Sequence, residues 1–120
     1  MITVLKLNDV NTTLIIDRMT DNDPDFWEFV RRCRLKYTKC EWGDTDQEQK
    51  TFNDRLISKR RDGWLLAKYS HSKFPICIMT EINRVEEIYK TTIMLESEFN
   101  AKGMNRYSCK QQKYNRHGEV

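Results

Sequence analysis

A segment near the C-terminal end of the chain, residues 95–106, has the residue types and spacing that could do chemistry. Its pattern predicts the end of an apolar strand, then a small-residue turn at Gly103, then the start of a polar helix. Such a joint presents backbone N–H groups at a helix N-terminus, where phosphate binds. Glycine at the turn lets the backbone approach the anion closely. The segment therefore predicts a site for a phosphate-bearing ligand.

Two carboxylates beside this joint, Glu96 and Glu98, are the candidate general bases. Each also has an ordinary interpretation, because a carboxylate beside a turn is usually just solvated. Gly103 has one too, since glycine commonly ends a helix. Both alternatives stay open at the level of the sequence.

Composition limits the other kinds of site. The hydrophobic fraction is 38%, the charged fraction is 32% and the formal net charge is +3, which is too weakly basic to indicate nucleic acid by itself. Three Trp, five Tyr and five Phe predict a small aromatic-rich core. The four cysteines lack zinc-finger spacing, so we expect no metal site and four reduced thiols. They are Cys33, Cys40, Cys77 and Cys109.

No apolar run approaches the roughly 20 residues of a membrane span, and the N-terminus lacks a signal-peptide pattern. We therefore expect no membrane association and a cytoplasmic protein. Frequent Asn, Lys, Thr and Asp in a short chain is typical of phage or mobile-element genes. For a phage-encoded protein, the expected location is the host cytoplasm or the virion.

The first half of the chain is predicted to be mostly helical. Alternating apolar residues predict a strand over 2–7, and residues 10–19 favour a helix, with a β-hairpin as the competing interpretation. Asp23-Pro24 is a strong helix start, with Asp as the cap. Thr45-x-x-Glu48 is a capping box for another helix that ends near residue 60.

The second half is predicted to supply the sheet. Residues 64–69 and 74–82 form a hairpin at its centre, covered by the helix that starts at Pro24. Asn83 could then begin a helix, or residues 90–95 could form another strand. The expected fold is α+β, with a central antiparallel or mixed sheet and flanking helices. Residues 1–120 make one domain, in which 106–120 are a basic C-terminal helix or tail.

The element order and three motifs resemble the first two thirds of the GNAT family of N-acetyltransferases. Residues 5–9, followed by an apolar helix, resemble the family's opening strand and helix. Residues 67–77 resemble its central hairpin, where a small loop leads into Pro-Ile-Gly, with cysteine here in place of that glycine. Asn100-x-x-Gly103-x-Asn105 resembles the family's Arg/Gln-x-x-Gly-x-Gly/Ala loop, which binds the pyrophosphate of acetyl-CoA.

The resemblance implies an acetyl-CoA-dependent N-acyltransferase-like domain. In it, backbone N–H groups near Leu95 would polarise the thioester carbonyl for attack by an amine. The family's later strands, and its fourth helix with the tyrosine acid, have no counterpart here. The resemblance therefore implies either lost catalysis or a partner chain that completes the site. The residues that it assigns to the cofactor are Leu95, Asn100, Lys102, Gly103, Met104 and Asn105.

The alternative function is a non-catalytic, phage-type accessory or virion-associated module that docks on another protein. Its expected face is a set of cations: Arg31, Arg32, Lys39, Lys59, Arg60 and Arg61. The plain interpretation of these cations is a solvated helix surface. With Tyr107 and Tyr114, they could also bind single-stranded nucleic acid. Acidic clusters over residues 17–25 and 44–48 argue against nucleic acid as a partner.

Overall fold

The computed structural model describes Leu5, Leu7 and residues 9–112. The elements are β1 (Asp9–Thr12), α1 (Leu14–Asn22), α2 (Pro24–Thr38), α3 (Gln47–Ser58), β2 (Gly63–Tyr69), β3 (Ile76–Asn83), β4 (Ile88–Leu95), α4 (Glu96–Ala101) and one 3₁₀ turn (Met104–Tyr107). The strands form one mixed sheet in the order β1-β4-β3-β2, with β1 parallel to β4 and the other neighbours antiparallel. The predicted α+β class with a mixed sheet and flanking helices is confirmed.

The predicted hairpin is confirmed as β2 and β3, but its predicted place at the centre of the sheet is only half right. β3 is central and β2 is an edge strand. The sheet grows on the other side, where β4 pairs with β3 and β1 pairs with β4. The undecided segment after Asn83 therefore forms a strand, and the Asn83 side chain accepts a hydrogen bond from the Glu86 N–H in the turn before it.

One face of the sheet packs against α1 and α2, as the apolar stripe that follows Pro24 predicts. Phe26, Val30 and Tyr37 are buried there, and Phe29 is half-buried. The Tyr37 hydroxyl lies 2.6 Å from the Thr80 hydroxyl, which lies 2.8 Å from that of Thr91. This chain of hydroxyls satisfies the polar groups that α2 and the sheet bury.

The other face of the sheet packs against α4 and the 3₁₀ turn. Phe99 of α4 is fully buried there. It packs with a second buried cluster from the three longer strands: Leu66, Cys77, Met79 and Met94. The short α4 is therefore anchored by one aromatic side chain.

Side-chain caps start α1, α2 and α3. Asp23 accepts hydrogen bonds from the backbone N–H groups of Asp25 and Phe26, so α2 begins at Pro24 as predicted. The predicted capping residue of α3, Thr45, is wrong by one position, because Asp46 accepts from the Gln49 N–H. Thr45 is buried, and its hydroxyl accepts a hydrogen bond from the Lys68 N–H instead.

The free edge of β2 is closed by side chains. The Asn53 amide donates to the Leu66 carbonyl and accepts from the Leu66 N–H, at 2.9 and 3.3 Å. The Gln112 amide does the same for Trp64, at 3.1 and 2.8 Å. With Thr45 on the Lys68 N–H, the edge offers few unpaired groups to another strand.

The N-terminal elements differ from the prediction. Of the strand predicted over 2–7, only Leu5 and Leu7 lie among the described residues, and neither is in a strand. The helix predicted over 10–19 is wrong in its first part, because Asp9–Thr12 pairs with β4 and α1 starts at Leu14, capped by Thr13. Of the predicted tail, the 3₁₀ turn and a helical turn over 109–112 are described, and 113–120 lie outside the described residues.

Candidate functional site

Residues 95–106, predicted to bind phosphate, do not have the predicted order of strand, glycine turn and helix. Helix α4 begins at Glu96, directly after β4, and the turn with Gly103 follows this helix. Gly103 has φ 64°, and its N–H donates to the Asn100 carbonyl at 3.2 Å, so it ends α4. A Cβ at Gly103 would meet no atom within 4 Å, so this glycine is not part of a crowded cradle.

Two backbone donors at the start of α4 are already used. The Leu95 N–H donates to Glu98 Oε1 at 3.0 Å, and the Glu96 N–H donates to the Pro75 carbonyl at 2.8 Å. Glu98 Oε1 also accepts from the Thr13 hydroxyl at 2.8 Å. Glu98, a candidate general base, therefore ties α4 to the start of α1.

The described residues do not fit acetyl-CoA at this joint. The family lays the pantetheine arm in a splay beside its fourth strand, but here β1 fills the outer edge of β4, pairing Asp9 through Thr12 with Lys90 through Ile93. Glu96 and Glu98 place two carboxylates in the first turn of α4, where they would repel a diphosphate. The remaining residues that the resemblance assigns to the cofactor are on α4 and the turn after it: Asn100, Lys102, Met104 and Asn105, of which only Met104 is partly buried.

Among the described residues, neither the three cysteines with a raised pKa nor a cluster of metal ligands indicates a catalytic site. Burial raises the pKa of the Cys33 and Cys40 thiols to about 11 and that of Cys77 to about 12, so these thiols stay protonated near neutral pH. Within residues 9–112 and at Leu5 and Leu7, no three His, Cys, Asp or Glu side chains are placed to hold a metal ion.

The stronger candidate is a cleft of about 240 Å³ between α1 and α2, which we call the α1–α2 cleft. Its lining includes three apolar residues, Ile16, Val30 and Ile93. On the α2 side it is lined by Trp27, Arg31 and Arg34, and on the side of β1 and α1 by Thr12, Asp17 and Thr20. The cleft thus combines apolar surface, an aromatic ring and two guanidinium groups.

The two arginines of the α1–α2 cleft differ in whether their charge is already paired with a carboxylate. Arg31 donates two hydrogen bonds to Glu28, at 3.0 and 2.7 Å, and its guanidinium lies 6.0 Å from the centroid of the Trp27 ring. The Arg34 side chain forms no hydrogen bond or ion pair with any other described residue. Arg34 is therefore the guanidinium that an incoming anion can take without breaking an existing pair.

The pKa of the Glu28 carboxyl depends on its pairing with Arg31. The Arg31 hydrogen bond, with a smaller contribution from Arg32, lowers the pKa of the Glu28 carboxyl to about 2. We expect Arg31→Gln to raise that pKa toward its ordinary value, because the largest cause is removed. A ¹³C NMR titration of the side-chain carboxyls measures it. Because the pairing lowers the pKa of Glu28, its contribution to stability is fully present above the ordinary carboxyl pKa. That contribution is lost as the pH falls toward 2. An unchanged Glu28 titration would contradict the pairing.

Apolar side chains are exposed on the two helices that form the α1–α2 cleft. Trp27 is 52% exposed and Leu35 is 47% exposed, although both are large and apolar. Trp27, Arg31 and Leu35 are four residues apart, so they lie along one face of α2. Leu14 and Ile15 of α1 are also exposed. Of these side chains, Trp27 is the one that lines the cleft, so it is the exposed apolar residue that indicates an interaction site there.

The structure separates the six cations that the sequence groups as one docking face. Among them only Arg31 lines the α1–α2 cleft. Arg32 binds Glu28, Lys39 follows the end of α2, and 59–61 follow the end of α3. Sequence analysis missed Trp27 and Arg34. Trp27 carries a signal in the sequence, because it lies outside the buried stripe that runs from Phe26 to Tyr37.

Comparisons of the chain with family models, with curated proteins and with solved structures find no match. In the described residues, the structure contains no helix long and apolar enough to cross a membrane.

Proposed function

We propose that this chain is a non-catalytic protein-binding module, a phage-type accessory or virion-associated protein, that docks an acidic segment of a partner protein in the α1–α2 cleft. The observation that carries the proposal is an exposed tryptophan, Trp27, beside an unpaired Arg34 and above apolar side chains. Trp and Arg are the residue types most enriched among the few side chains that dominate binding energy at interfaces.

The lining of the cleft suits a partner side chain. The cleft has a volume of about 240 Å³. The apolar residues Ile16, Val30 and Ile93 suit one large apolar side chain. A carboxylate next to that side chain would pair with Arg34 and stay away from Asp17 on the other side of the cleft.

Selection from a peptide library tests this proposal directly. Random linear peptides displayed on phage are selected on the immobilised protein, and each enriched peptide is then measured against the double variant Trp27→Ala/Arg34→Glu. We expect enriched peptides to carry a large apolar residue within a few positions of Asp or Glu. Circular dichroism establishes that the double variant is folded. An absence of enrichment, or peptides that bind both proteins equally, would contradict the proposal.

N-acyltransferase activity stays a prediction from the resemblance. The single feature in its favour is the strand at Ile88–Leu95 inside the sheet, followed by a helix, as the resemblance requires. It can be tested together with the docking proposal, because the two predict ligands at different places on the molecule.

A further inference from the structure

A second cleft lies at the start of β2, far from the elements that form the first. Its volume is about 290 Å³, and we call it the aromatic cleft. Its lining comprises Phe52, Asp62, Gly63, Trp64, Arg106, Tyr107 and Gln112. Neither the resemblance nor the docking proposal uses it.

Two aromatic rings in this cleft are held in a fixed arrangement. The ring centroids of Trp64 and Tyr107 are 4.2 Å apart, with 34° between the planes. Gln112 holds both residues, because its amide donates to the Trp64 and Tyr107 carbonyls and accepts from the Trp64 N–H. Gly63 has φ 151°, and a Cβ there would lie 2.9 Å from the Gln112 amide oxygen. The site is therefore built before any ligand arrives.

Positive charge borders these rings. The Arg106 guanidinium lies 4.9 Å from the centroid of the Tyr107 ring, and Arg106 is exposed. It forms no ion pair with a described carboxylate. The exposed cations of residues 59–61 directly precede Asp62, which lines the cleft. The Asp62 carboxylate accepts the Arg84 N–H at 2.9 Å, which brings a further arginine to this loop.

Most of the acidic residues that argue against nucleic acid lie elsewhere, although Glu48 is one helical turn from Phe52 of the cleft. Asp44 accepts a hydrogen bond from Ser70, at the opposite end of β2 from Gly63. Seven strand residues separate these ends by about 20 Å. Phe26, beside the acidic cap Asp23, packs edge-on against His71 at that same distant end. Net charge averages over both ends, whereas the aromatic cleft has mainly cations around it.

We infer that the aromatic cleft binds a nucleotide unit, supplied by a free nucleotide or by a single-stranded nucleic acid. A base stacks on the Trp64–Tyr107 pair in the place of the Arg106 guanidinium, which lies over the Tyr107 ring in the absence of ligand. Arg106 pairs with the phosphate, for which a planar guanidinium is suited. The Asp62 carboxylate is an acceptor for an amino group of the base.

Fluorescence anisotropy with a labelled single-stranded DNA dodecamer, at low and physiological salt, tests this inference. We expect saturable binding that weakens as salt rises. Competition by mononucleotides distinguishes the sources: equal competition per nucleotide identifies a free-nucleotide site, and weak competition identifies a strand-binding site.

Variants localise the binding. Tyr107→Leu removes the ring at similar bulk, and Arg106→Gln removes the charge; we expect each to weaken binding about tenfold or more. Arg18→Gln on α1 is the matched control, and it should have little effect. Thermal unfolding by circular dichroism checks that each variant is folded. The inference is overturned by absent binding at low salt, or by equal losses in Arg18→Gln and Arg106→Gln, or by unchanged affinity in Arg106→Gln.

Discussion

Replacing Asn53 with Leu is expected to lower the free energy of unfolding by about 2–4 kcal/mol, although the two side chains are similar in size. Asn53 is fully buried on α3 and pairs with both backbone groups of Leu66. Its oxygen also accepts from the Gln49 amide at 2.9 Å. Leucine would leave these groups unpaired and away from water, and each buried unpaired group costs about 1–3 kcal/mol.

Urea denaturation, followed by circular dichroism, measures this loss. Asn100→Leu is the matched control, because Asn100 is exposed on α4 and its side chain forms no hydrogen bond with a described residue. We expect the control to stay within about 0.5 kcal/mol of the parent protein. Equal effects of the two substitutions would mean that Asn53 does not complete the edge of β2.

Local sequence was sufficient where one short segment determines the structure. Asp23-Pro24 fixed the start of α2, because the cap and the first helical position are adjacent residues. The hairpin of β2 and β3 was equally clear from two apolar runs joined by a short polar loop.

Pairing between distant segments was not predictable in this way. Residues 9–12 form a strand because β4, far later in the chain, offers a parallel partner. No property of those four residues alone specifies that partner, and Thr12 and Thr13 are compatible with either strand or cap. Asn53 gave no sign of its role for the same reason, because its partner is the edge of a strand formed later in the chain.

The candidate sites differ in the same way, because one follows from a local motif and the other from contacts between distant segments. The segment around Gly103 was predicted as a phosphate site from a sequence motif, but in the structure Gly103 ends helix α4. The α1–α2 cleft needs Ile93 of β4 beneath residues of α1 and α2, so it exists only in the folded chain. Trp27 alone carries a signal in the sequence, as a large apolar residue outside the buried face of its helix, but the sequence analysis did not identify it as a site residue.

Trp27→Ala is expected to weaken the binding of a selected acidic peptide by about 30-fold, which corresponds to about 2 kcal/mol. The exposed indole supplies the largest apolar area bordering the α1–α2 cleft, and truncation removes that area. Because Trp27 is 52% exposed, the fold should survive the change. Isothermal titration calorimetry gives both affinities.

Val85→Ala is the control for this substitution, since Val85 is 90% exposed in the turn between β3 and β4. It removes exposed apolar surface outside the α1–α2 cleft and should leave the affinity unchanged. A similar loss in both variants would point to non-specific adhesion of the peptide.

The most direct measurement of the central claim is a map of backbone amide shifts by two-dimensional ¹⁵N NMR. The protein is titrated separately with a selected acidic peptide and with acetyl-CoA. The docking account predicts that the peptide shifts amides in α1 and α2, around Trp27 and Arg34, while acetyl-CoA at millimolar concentration leaves residues 95–106 unchanged. Saturable shifts at 95–106 with micromolar acetyl-CoA, and none in α1 or α2 with peptide, would contradict it.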